Sequence, residues 1–185
     1  MYKILFLIAF SVQGATLKYT LDNENSKMVI NGTSFLHNWE TKVGRLQGEG
    51  NFLLKNKKVV KILDFYLKVE TESIKSGTEN IDEKTYVALR GPNYPIIRAT
   101  IKKIEKINDQ VKGLVDIFVG GVTITEPFSV SLSIPKQNSL IIAGEKKLNM
   151  KSFKIDPPTV WFFKAGDEVT VSFSLFLKIR EGQGK

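Results

Sequence analysis

Long runs of strict period-two alternation dominate this sequence. Leu63, Phe65, Leu67 and Val69 alternate with Asp64, Tyr66, Lys68 and Glu70. Phe128, Val130, Leu132 and Ile134 alternate with Ser129, Ser131 and Ser133. Val169, Val171, Phe173, Leu175, Leu177 and Ile179 do the same against Thr170, Ser172, Ser174 and Lys178. A period of two sends successive side chains to opposite faces, so each run reads as a strand with one buried face. Further strands are read at Leu17–Asp22, Lys27–Phe35, Gly48–Leu54, Ile96–Ile107, Lys112–Val119 and Ser139–Gly144. That makes about eight or nine strands. A chain of 185 residues is one ordinary domain, so the choice is between a sandwich and a closed barrel. The length of Val59–Glu72 favours the barrel, as does that of Phe118–Ile134 if Gly120-Gly121 only bends it. The lumen of a barrel of about eight strands is either filled by its own side chains or holds one small ligand.

One stretch argues for helix. Asn80–Arg90 opens with acidic residues and ends on Arg90, and Gly91-Pro92 then stops it. Leu148–Phe153 reads equally as a short helix or a strand. At the amino terminus Lys3 precedes the apolar run Ile4–Phe10, followed by the small residues Val12 and Gly14. A run of this length falls far short of the roughly 20 residues a membrane span needs, and it reads as a cleaved secretory signal. The expectation is a signal over residues 1–14, cut after Gly14 or Ala15, and a single domain over 15–185. The mature protein is then periplasmic or secreted.

Several segments, in order, carry a family resemblance. They are Tyr19-Thr20-Leu21-Asp22, Asn25-Ser26, Gly32–Trp39, Gly48-Glu49-Gly50, Ser76-Gly77, Asp82-Glu83-Lys84, Tyr94-Pro95-Ile96, Pro157-Pro158-Thr159 and Gly166–Val169. Together they resemble the YceI-like family of exported barrel proteins over roughly residues 17–179. Gly32–Trp39 looks like the form found in many Bacteroidetes-type members. The chain departs from the family pattern at Gly91-Pro92-Asn93 and at Trp161-Phe162-Phe163. The resemblance implies an all-β, antiparallel, lipocalin-like barrel of about eight strands with one short helix, enclosing an elongated apolar cavity. It also implies binding of polyisoprenoids or other long-chain amphiphiles, such as isoprenoid quinones, and brings no catalytic residue set.

The residues themselves offer little for catalysis. With no cysteine and one histidine, the chain has no disulfide, thiolate–zinc site, cysteine nucleophile or multi-histidine metal site. His37 lacks a Gly-x-Ser-x-Gly partner and reads as structural. Asp64, Glu70 and Glu72 alternate with inward apolar residues, so they read as pointing to water. No phosphate-binding loop or calcium loop is present. The 27 Lys+Arg against 19 Asp+Glu give +8, most of it lysine, in clusters at Lys55/Lys57/Lys58/Lys61, Lys102/Lys103/Lys106 and Lys146/Lys147/Lys151. Scarce arginine argues against nucleic acid as a partner. The lysines read first as a solvated surface, the functional alternative being weak attraction to anionic membranes. The expected function is non-enzymatic carriage of a long-chain lipid, with no cofactor beyond a bound quinone or similar lipid. Phe65, Leu67, Val69, Phe128, Val130, Leu132, Phe173, Leu175 and Leu177 would wall the lumen, and His37 and Trp39 would meet the polar end at its mouth. The competing expectation is a structural or stress-related barrel filled by its own side chains, for which the twelve phenylalanines suffice.

Overall fold

A computed structural model describes residues 14–34, 38–107, 110–136, 138–157, 159–160 and 163–179. Residues 1–13 of the expected signal, His37, Trp161-Phe162 and the tail Glu181–Lys185 lie outside the described residues. In chain order the strands are β1 (Ala15–Leu21), β2 (Lys27–Ser34), β3 (Asn38–Val43), β4 (Leu46–Lys55), β5 (Lys58–Glu70) and β6 (Ile74–Lys75). Helix α1 (Glu79–Ala88) follows, then β7 (Ile96–Ile107), β8 (Val111–Val119), β9 (Val122–Ser133), β10 (Ser139–Asn149), β11 (Thr159–Val160) and β12 (Phe163–Ile179).

Eight strands close an antiparallel ring in the order β1-β4-β5-β7-β8-β9-β10-β12, and β12 pairs back onto β1. The fold is therefore the barrel and not the sandwich. The remaining wall is built by strands that bend and continue. Both β1 and β2 run antiparallel along one edge of β12, β1 at Leu177–Ile179 and β2 between Ala165 and Ser174. The β2–β3 hairpin, with β6 beside β3, thus extends the wall above the ring.

Local chemistry explains the joints. Gly120 and Gly121 have φ of 56° and 87°, the pair of positive values a two-residue hairpin turn requires. They therefore separate β8 from β9 instead of bending one long strand. Helix α1 ends at Ala88, two residues short of the expected Arg90. Arg90 takes the left-handed position (φ 55°), and the Arg90 and Gly91 amides donate to the carbonyls of Val87 and Tyr86. Gly91 itself serves packing, since a Cβ there would lie 2.0 Å from the Tyr86 ring. The Arg90 guanidinium donates to the carbonyls of Gly120 at 2.9 Å and Lys154 at 2.6 Å, pinning the end of α1 to the upper rim. Of the Leu148–Phe153 segment, Leu148 and Asn149 finish β10, and Met150–Phe153 is a 3-10 turn.

The bend between β1 and β2 is held by Asp22. Its carboxylate pairs with the Lys178 ammonium on β12 and accepts from the Asn25 side chain at 2.9 Å. These bonds, the one to Lys178 first, hold the Asp22 carboxyl below the usual range, at about 2. A carboxyl with a depressed folded pKa stabilises the fold above its unfolded pKa, and that stability is lost as pH falls through the folded value. With Lys178 largely exposed, the contribution is on the order of 1 kcal/mol. Asp22→Asn should therefore unfold at lower denaturant than wild type at neutral pH, and the gap should narrow from about pH 4 and be lost below about pH 2. A gap that does not narrow between about pH 4 and about pH 2 would contradict this account.

The core has a floor and a roof. Tyr19, Leu140 and Leu177 are fully buried at the lower end, where Tyr19 meets Phe52 edge-on at 5.6 Å. At the upper end Phe153 and Ile155 pack under the 3-10 turn against Ile117 and Val119.

Candidate functional site

Between floor and roof lies a cavity of about 500 Å³, within the size range of pockets that hold small molecules. The inner faces of the ring line it. Phe65, Leu67 and Val69 come from β5, Phe128, Val130 and Leu132 from β9, and Phe173 and Leu175 from β12. The expected wall residue Leu177 does not reach the cavity: it is buried in the floor opposite Leu140. Alternation tells which face a residue occupies but not its height along the barrel, and Leu177 sits where the ring is packed solid. Ile81, Thr85 and Ala88 of α1, spaced four and three apart on one helical face, close part of the side wall.

Trp39 also lines the cavity. It stands opposite Gly32 in the β2–β3 register, with its indole over that glycine. A Cβ at Gly32 would lie 2.1 Å from the Trp39 ring, so only glycine leaves the indole room. The indole N–H donates to the Thr33 carbonyl at 3.2 Å, which fixes the ring. His37, expected beside it, lies outside the described residues.

The acids considered for catalysis do not converge. Arg45 takes both Glu70 and Glu72, at 2.6 and 3.5 Å, and Asp64 accepts from Asn51 at 2.9 Å. None of the three lines the cavity.

A different charged pair was not anticipated from sequence. Glu126 stands opposite the cavity residue Val115 in an unbroken β8–β9 register, so it occupies the same inner face as Phe128. Lys146 stands opposite the cavity residue Val171 on β12. Their side chains meet at 2.7 Å and are each about three-quarters buried, at 30% and 23% exposure. Lys146 lines the cavity. In sequence it groups with Lys147 and Lys151 as surface charge; Lys147, on the opposite face, does stay exposed. Extending the Phe128-Val130-Leu132 alternation back by two would have marked Glu126.

The pair sits beside a gap in the barrel wall. The β9–β10 ladder holds only from Ile141↔Ser133 to Gly144↔Val130, whereas β10 stays paired with β12 up to Asn149. Above Gly144 the two strands part, and Ser129, Glu145 and Lys146 reach the cavity through that seam.

Comparison with known proteins agrees with this architecture. BcnA of Burkholderia cenocepacia superposes with a TM-score of 0.73 at 14% identity, covering 84% of this chain and 98% of that one. A polyisoprenoid binding domain from Saccharophagus degradans, implicated in plant cell wall breakdown, gives 0.70 at 12% identity over 89% and 99%. A YCEI protein of Campylobacter jejuni gives 0.58 at 14% identity over 98% and 92%. At such identities the likeness is one of fold. No curated protein matches the chain. The sequence itself matches the YceI-like domain over residues 19–177, a span that runs from β1 through every strand of the ring into β12. The chain belongs to the YceI-like family.

Proposed function

We propose that this protein is an exported, non-catalytic carrier of a long-chain isoprenoid or similar amphiphilic lipid, an isoprenoid quinone being one such cargo. The observation that carries the reading is the cavity of about 500 Å³ walled almost wholly by apolar side chains. Burying an apolar chain there is favourable by about 25 cal/mol per Å² before entropic costs, without any specific polar contact. That the Saccharophagus degradans neighbour is a polyisoprenoid binding domain agrees with this cargo. A lumen filled by its own side chains, the competing reading, would leave no such space.

Export rests on the sequence, with Lys3 and the apolar run Ile4–Phe10 supplying the signal. It fits that β1 begins at Ala15, next to the expected cut. The exposed lysines of the β4–β5 hairpin, Lys55, Lys57, Lys58 and Lys61, favour weak contact with anionic membranes, where a lipid carrier would load.

Protein recovered from its native host, extracted with organic solvent and analysed by mass spectrometry, should release a long-chain lipid, and its amino terminus should be Ala15 or Thr16. Finding no lipid, together with no binding of quinones, long-chain alcohols or fatty acids in vitro, would sink the carrier reading.

A further inference from the structure

We infer that the Glu126–Lys146 pair is a head-group site at the β9–β10 seam that selects amphiphiles with an uncharged hydroxyl or carbonyl head over anionic ones. The inference rests on the carrier reading and adds to it the class of cargo. Among the described residues, this is the one ion pair whose two members both occupy inner-facing strand positions. Pairs of similar exposure, such as Lys18–Glu49, stand on the outer face, since Tyr19 between Lys18 and Thr20 points inward.

Charge inside an apolar lumen is costly to desolvate, and here each ion compensates the other. The pair also keeps spare hydrogen-bonding capacity. An ammonium has three donors and a carboxylate about four acceptor sites, and their mutual contact uses one of each. A hydroxyl head can accept from Lys146 and donate to Glu126 with the pair intact; a carbonyl head can accept from Lys146. A carboxylate or phosphate head must compete with Glu126 for Lys146, bringing like charges together in a poorly solvated place. The seam suits a head group for a second reason. Ser129 and Glu145 border it, and the missing β9–β10 ladder leaves polar access on one side and the apolar cavity on the other.

Displacement of a fluorescent lipid probe by hexadecanol and by hexadecanoate tests this in wild type, Glu126→Gln and Lys146→Gln, each checked for cooperative unfolding. Wild type should favour the alcohol by about tenfold or more. Glu126→Gln keeps a partner for Lys146 but removes the competing charge, and should move the alcohol-to-carboxylate ratio about tenfold toward the carboxylate. Lys146→Gln should move it the other way. A ratio equal in all three proteins, or a wild-type preference for the carboxylate, overturns the inference while leaving the carrier reading standing. Failure of every protein to bind either amphiphile overturns the carrier reading and this inference with it.

Discussion

Replacing Ala99 with tryptophan should cost this protein about a hundredfold in lipid affinity and little or nothing in stability. Ala99 lies on the inner face of β7, opposite Leu67 and Ile117, and lines the cavity. An indole there projects into space that a ligand chain would occupy. Displacing about four methylenes at about 0.8 kcal/mol each forfeits about 3 kcal/mol of binding, which is about a hundredfold in Kd. The ring gains apolar contacts with the opposing wall, so the thermal midpoint should hold or rise. Probe titration and thermal unfolding of the same preparations separate the two effects. Undiminished affinity in a variant that unfolds like wild type would place the lipid somewhere other than the lumen.

The alternation of β5, β9 and β12 made the barrel legible, because one buried face writes itself into every second residue. What it could not convey was vertical position. Leu175 and Leu177 look alike in sequence, yet one lines the cavity and the other packs the floor. Strand β3 is hidden in the sequence for a related reason. Its inner face is Trp39, Thr41 and Val43, and a buried threonine (5% exposed) breaks the apolar pattern without breaking the geometry. The same substitution of polar for apolar hid the upper half of β10. Beyond Gly144 the sequence Glu145-Lys146-Lys147 reads as surface charge, although Lys146 continues the inner face of Ile142. Local propensity likewise puts the end of α1 too late. Arg90, not Gly91, takes the left-handed turn, since its guanidinium gains two carbonyl partners across the rim. Sequence thus conveyed the apolar walls and missed the polar pair, because inward charge violates the rule by which the walls were recognised.

The distinction between floor and wall makes the last prediction. Phe52 has no exposed surface and forms the top of the floor, edge-on to Tyr19 below and, tilted against Phe65 at 6.2 Å, lining the cavity above. Phe52→Ala removes a ring that is enclosed on the floor side by well-packed neighbours, and should destabilise the protein by about 4 kcal/mol. Phe128 belongs to the wall: it lines the cavity and is only half-buried. Because part of its ring already faces the cavity, Phe128→Ala forfeits fewer contacts and should cost about 2 kcal/mol. Its larger consequence should be on the ligand, with lipid affinity falling about tenfold as apolar contact is lost. Denaturant unfolding of the two variants without lipid, then with saturating lipid, reads both effects. In a barrel packed solid by its own phenylalanines the two truncations would be equally damaging, and lipid would rescue neither. In a carrier the Phe52 variant loses mainly stability that is present without lipid, whereas the Phe128 variant loses mainly the extra stability that bound lipid confers on the wild type.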